Sequence, residues 1–154
     1  MSKLKNTSMH LNENNYIETI NGFNSSDWKP ILDLIPEIEQ TSTFGEMKGG
    51  EKNAEGIMVM PYWIESPVVS RFHRIVYDMP IIIDFDWGSW GEGRKMVRDE
   101  NFDFNSIDIP TKCKIITAIV RSNRFCDGAL VSAFESGLIL KILKSIRQQT
   151  GAGD

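Results

Sequence analysis

Two periodicities alternate along this chain. In the C-terminal third the apolar positions recur at helical spacing: Ile115, Ile116, Ile119 and Val120, then Leu130, Phe134, Leu138, Ile142 and Ile146. They predict one helix from about Thr111 to Asn123 and a second from about Gly128 to Gln149. Asp108 can cap the first, with Pro110 in its opening turn, and Asp127 can cap the second. Gly137 falls inside the second helix at a cost of about 1 kcal/mol relative to alanine, which a close backbone contact would explain. Near the other end, Ile31, Leu32, Ile35 and Ile38 follow a helix start at Ser26-Asp27-Trp28, with Pro36 threatening the last turn.

Between these helical stretches the pattern is that of strands. Ile81 to Trp87 is β-branched and aromatic, introduced by Pro80, and is the strongest strand candidate. Ile57 to Ile64 is a second, apolar on both faces and placed at an edge by Pro61. Thr43-Phe44-Gly45 fits a short strand and Gly49-Gly50 a turn. Val68 to Tyr77 fits a short helix or a strand equally well. Residues 88–108 are polar and glycine-containing and are expected to form a long loop. Residues 1–25, rich in Asn and Ser, are expected to be a flexible tail with at most a turn of helix near Ile17, and 150–154 a short C-terminal tail. The expectation is one α+β domain over 26–149: a small, mainly antiparallel sheet packed against an N-terminal helix and a C-terminal helix pair.

Composition leaves this picture intact. At 154 residues, with 41% hydrophobic and 25% charged side chains, the chain can bury a core without staples. Its two cysteines, Cys113 and Cys126, lack any motif spacing, so a buried thiol is favoured over a disulfide and the cytoplasm over an oxidising compartment. No stretch approaches the roughly 20 apolar residues of a membrane span. The net charge of −4 hides an asymmetry: residues 1–111 carry ten basic against eighteen acidic side chains, and 112–153 seven against two. Mutual neutralisation of the two halves is the simpler reading, ahead of a nucleic-acid face.

Two stretches concentrate the candidate chemistry. In an extended Ile81–Trp87, residues Ile81, Ile83, Phe85 and Trp87 share one face, while Ile82, Asp84 and Asp86 share the other. That places Trp87 in the core and sets two carboxylates side by side, where they repel unless a cation intervenes. A divalent ion or acid–base chemistry would suit such a pair. However, His10 and His73 are isolated and Glu135 could join only through the fold, so no metal site and no cofactor are assigned. On the first C-terminal helix, Lys114, Thr117, Arg121 and Arg124 form a polar stripe. Guanidinium forks suit carboxylates and phosphates alike, so the stripe could hold an anion or pair with Asp84, Asp86 or Asp127. A direct Asp–Arg pair is the favoured outcome. Trp87 and Trp90 could be stacking platforms or pocket walls. A helix-turn-helix reading is disfavoured because the second helix is apolar where base contacts would be needed.

Taken together, Ile83-Asp84-Phe85-Asp86-Trp87 with Trp90, Arg121 with Arg124-Phe125-Cys126-Asp127-Gly128, and Phe134-Glu135-Ser136-Gly137 resemble a bacterial domain family of unknown function. The resemblance covers roughly Trp28 to Arg147. It implies a compact bacterial cytosolic protein, and a common constellation for the Asp-Trp and Arg-Phe stretches, but carries no activity over. The reading of the residues is therefore a binding or interaction module with an Arg/Asp/Trp-lined pocket, its candidates Asp84, Asp86, Trp87, Trp90, Arg121, Arg124 and Glu135, for a small anionic ligand or a protein partner. A hydrolase-like enzyme using Asp84 and Asp86 is the second class, and a nucleic-acid-associated protein using the basic C-terminal helices the third.

Overall fold

The computed structural model describes residues 13–151. Among the described residues helices dominate, with one two-stranded antiparallel sheet, so the fold is α+β. The described chain opens with α1 (Glu13–Asn21), followed by α2 (Ser25–Leu32) and α3 (Ile35–Gln40). The strands β1 (Gly45–Lys48) and β2 (Tyr62–Glu65) come next, then α4 (Pro67–Asp78). A 3-10 turn (Trp87–Ser89) leads into α5 (Gly91–Arg98), and a second (Phe104–Ser106) into α6 (Ile109–Ser122), α7 (Ala129–Glu135) and α8 (Leu138–Thr150).

The stretch expected to be a tail is helical from Glu13 and docked. Tyr16 and Ile20, one turn apart, are both buried. The Tyr16 hydroxyl donates to the Ile81 carbonyl at 2.5 Å, which an isolated tail could not do. Residues 1–12 of that expected tail, and 152–154 of the C-terminal one, lie outside the described residues.

Asn24, two or three residues before the expected start at Ser26-Asp27, caps α2: its side chain accepts from the Asp27 amide, and the Asp27 carboxylate accepts from the Asn24 amide. Pro36 ends nothing. It sits in the first turn of α3, where a missing N–H is harmless, and the break falls at Asp33-Leu34 instead. Val68 to Tyr77 is helical, with Pro67 in its first turn. The long C-terminal helix divides at Gly137, whose φ of +83° ends α7 and starts α8. No atom crowds a Cβ built there, so the glycine serves the left-handed turn rather than a close contact.

α8 lies at the centre of the body. Ile139, Ile142, Leu143 and Ile146 are fully buried, and the helix packs on α2, α3, α6, α7 and the second 3-10 turn. Phe134 of α7 joins Phe44 and Phe72 in an aromatic cluster, with ring centroids 5.4 and 5.2 Å away.

The strongest strand candidate is not a strand. Ile81 to Asp86 belongs to no ladder, and it bends at Phe85, whose carbonyl accepts from the Trp87 amide at 2.8 Å. Its backbone is held by side chains: the Thr117 hydroxyl of α6 accepts from the Ile83 amide at 3.4 Å and shares its proton between Cys113 O at 2.9 Å and Ile81 O at 3.2 Å, beside the bond from Tyr16. The alternation itself is as expected. Ile81 and Ile83 are buried, Phe85 and Trp87 half-buried, and Asp84 and Asp86 point to water. The sheet forms elsewhere, with register Gly45↔Glu65 to Lys48↔Tyr62. Of the expected strand Ile57–Ile64, only the end beyond Pro61 is paired in β2, apart from a single bridge between Met58 and Lys52.

Candidate functional site

The stretch 81–90 lies across the polar stripe of α6, as the charge argument required, but the bonds between them are of a different kind. Thr117, in the middle of that stripe, is fully buried and spends its hydroxyl on the backbone. Lys114 places its ammonium 4.8 Å from the ring centres of both Phe85 and Trp90 and forms an ion pair with Glu13 at 3.2 Å. Arg121 stacks 5.9 Å from the Tyr77 ring, and Arg124 donates to the Tyr77 hydroxyl at 3.4 Å. Among the described residues neither Asp84 nor Asp86 forms an ion pair, and the expected Asp–Arg pair does not exist. Both carboxylates are hydrated, which removes the need for a counter-charge. Asp127 accepts from the Trp63 amide at 2.9 Å instead of pairing with an arginine. Glu135 is exposed on α7.

Trp87 and Trp90 do come together, at a cleft of about 230 Å³ between α5 and α6. Trp87 is half-buried at its rim rather than in the core, with the Phe125 ring 6.1 Å away. One wall is a single face of the first 3-10 turn and α5: Trp90, Gly93, Arg94, Val97 and Arg98, at spacings of three and four. The other is one stripe of α6: Ile115, Ala118, Ile119 and Ser122. The small side chains at 93 and 118 leave the space. Gly93 is also required by Trp90, since a Cβ there would lie 2.3 Å from the indole ring. Phe85 meets the same indole edge-on at 5.7 Å and holds it in place.

The cleft is apolar at its floor and cationic at its mouth. Arg94 donates to the Gly88 carbonyl, which ties α5 to the preceding 3-10 turn. Arg98 makes no hydrogen bond or ion pair among the described residues, and no acidic side chain lines the cleft. Sequence reasoning missed Arg94 and Arg98 because residues 88–108 read as a polar loop. A signal was present: Trp90, Arg94 and Val97 recur at helical spacing, with Glu92 in the first turn and Lys95 and Arg98 in the last, as the helix dipole favours.

A second hollow of about 260 Å³, between the second 3-10 turn and α8, is lined by polar groups already engaged. Ser145 donates to Asn105 at 2.6 Å, Asn105 to Gln148 at 3.1 Å, and Lys144 pairs with Glu39 at 3.0 Å. The perturbed titratable groups lie inside the body and outside the cleft. Burial drives the Tyr16 phenol far above its ordinary value and the Cys113 thiol up to about 12. Burial also lowers Lys112 to about 8, its ammonium held by the Gln149 side-chain oxygen. They are the polar interior of the α1–α6 and α6–α8 contacts. Among the described residues no group of three or more His, Cys, Asp or Glu could hold a metal ion, and no helix is long and apolar enough to cross a membrane.

No curated protein and no solved structure matches the chain. A family model does, over residues 23–152, a span that takes in both cleft walls, and the chain therefore belongs to the family of unknown function DUF6508.

Proposed function

We propose that the protein is a binding module whose cleft between α5 and α6 takes a small organic anion with a flat apolar body. The observation that carries this reading is the pairing of two indole walls and an aliphatic floor with the guanidinium groups of Arg94 and Arg98, with no acidic side chain among the described residues that line the cleft. Apolar pockets with a few well-placed polar groups are the usual form of small-molecule sites, and 230 Å³ suits a ligand of one or two rings. Aromatic faces stack on a flat ligand, and guanidinium forks hold its carboxylate or sulfonate.

The test is a tryptophan-fluorescence titration with naphthalene-2-sulfonate and with the neutral naphthalene-2-methanol. The sulfonate should give a saturable signal and the alcohol a weaker one. The Arg94→Gln/Arg98→Gln double variant should weaken sulfonate binding about tenfold or more. Ala118→Leu, which fills the floor, should abolish it. A signal that does not saturate, or that survives both variants, would sink the proposal.

A further inference from the structure

Every residue from Glu46 to Tyr62 is exposed, so β1, the turn beyond it and the start of β2 form an arm that projects from the body. The arm carries Met47, Ile57, Met58, Val59, Met60 and Tyr62 in water. A two-stranded hairpin is marginal by itself, and three or more strands are needed for independent stability.

Its two edges are not alike. In an antiparallel ladder, residues alternate between bonding their neighbour strand and pointing away from it. The Ser66 amide bonds Phe44 O at 2.9 Å, so with the observed register Glu46 and Lys48 bond β2, while Gly45 and Met47 turn their N–H and C=O outward. Trp63, opposite Met47, obeys the same alternation: its amide points outward and is capped by Asp127 at 2.9 Å. The outward amide at the centre of β2 is therefore already engaged. The β1 edge has no hydrogen-bond partner among the described residues, and such an edge is a template for another strand.

We infer that β1 pairs antiparallel with β1 of a second copy about a twofold axis at Met47, making a continuous four-stranded sheet. A twofold interface must be self-complementary, and this edge is. With Met47 on Met47, the two methionines exchange their backbone N–H···O bonds, Glu46 faces the second copy's Lys48, and Lys48 its Glu46. Those charged pairs occupy the positions where opposite side chains approach most closely. Within one chain the two charges already lie on the same face, 3.1 Å apart. Registers centred one residue to either side would set Glu46 on Glu46 or Lys48 on Lys48, which like-charge repulsion disfavours. The antiparallel course also carries each arm's apolar Met58–Met60 stretch toward the base of the other arm.

Sedimentation equilibrium of the full chain, from micromolar to about millimolar concentration, tests this (a range that spans weak interfaces). The chain should dimerise. Met47→Pro removes an amide the hairpin does not use and should leave a monomer. Lys48→Glu sets carboxylates opposite each other and should raise the dissociation constant about tenfold, and Glu46→Lys/Lys48→Glu, self-complementary again, should restore it. Unchanged thermal melting of each variant shows that folding is not the cause. A wild-type chain that stays monomeric overturns the inference, and so does a dimer indifferent to Met47→Pro, or a charge swap that fails to rescue.

Discussion

The arm and the helical body use the same apolar residue types to opposite ends. In the body, isoleucines, leucines and aromatics at helical spacing disappear into contacts, and α8 has five helices and turns around it. In the arm, Ile57, Met58, Val59 and Met60 are no less apolar, yet all are more than half exposed. Burial is therefore set by the number of layers available and not by the residues: a helix surrounded on several sides can bury a broad face, whereas two strands alone cover neither of theirs. Apolar surface left in water by this rule marks where a partner is missing.

The contrast can be broken from the body side first. A chain starting at Ser26 loses Tyr16 and Ile20, and should lose about 3–6 kcal/mol of stability, from roughly 1.5–3 kcal/mol per buried side chain. Urea denaturation measures this, and a midpoint unchanged from the full chain would show that α1 adds nothing to the body. A finer break is Thr117→Val, which keeps the shape but leaves Ile81 O with one donor and the Ile83 amide with none. About 1–3 kcal/mol should go, read from the same transition; a neutral result would mean that Ile81–Ile83 is held by packing alone.

Titration sharpens the comparison further, because the polar interior belongs to the body alone. Folded Lys112 releases its proton near pH 8, while the unfolded chain keeps it to about 10.5, so the unfolded state binds more protons between those values. Stability should rise with pH from 8 to about 9. Beyond the thiol's ordinary value of 9, folded Cys113 keeps a proton that the unfolded chain gives up, which offsets the lysine, so the rise should level off there and turn into a fall only above about 10.5. Lys112→Met should erase the rise. Urea midpoints at pH 7, 8 and 9 for both proteins decide it, and parallel profiles would remove Lys112 as the cause. The smallest effect belongs to the arm: Met60→Ser, at 78% exposure, should shift stability by less than about 0.5 kcal/mol. A larger loss at low concentration would show that the arm tip is part of the monomer's own core.

How much of this was legible in the sequence follows from the range of each interaction. The Asp108 cap, Pro110 and the isoleucine spacing mark α6 because they act within one or two turns. The alternation of Ile81, Ile83, Phe85 and Trp87 was legible too, but a ladder needs a neighbour strand, and the neighbours here are two hydroxyls from Tyr16 and Thr117. α1 has only two apolar anchors among Asn and Glu, so its docking rests on groups far along the chain. At the cleft, Trp87 and Trp90 could be read directly. Arg94 and Arg98 were harder to place, because the helical spacing of Trp90, Arg94 and Val97 is short and set among glycines and charges, and the packing of Trp90 over Gly93 that anchors α5 does not show in the pattern. Asp84, Asp86, Arg121 and Arg124 were placed in the right neighbourhood, but hydration of the carboxylates took away the reason for an ion pair.

The hydroxyls on Ile81 have a consequence for the order of synthesis. Tyr16 bonds a carbonyl 65 residues downstream, and the same carbonyl receives Thr117 from 36 residues further on. A chain made from its N-terminus therefore exposes Tyr16 and Ile20 without a docking surface until α6 has emerged. At ~5–20 residues per second that interval is roughly 5–20 s, long compared with the folding of most helical domains. The first helix of the body is thus among the last to be fixed. During that time the nascent chain carries α1 unburied beside the arm, together with the faces of α2 and α3 that await α8, and of these only the arm stays uncovered in the completed body.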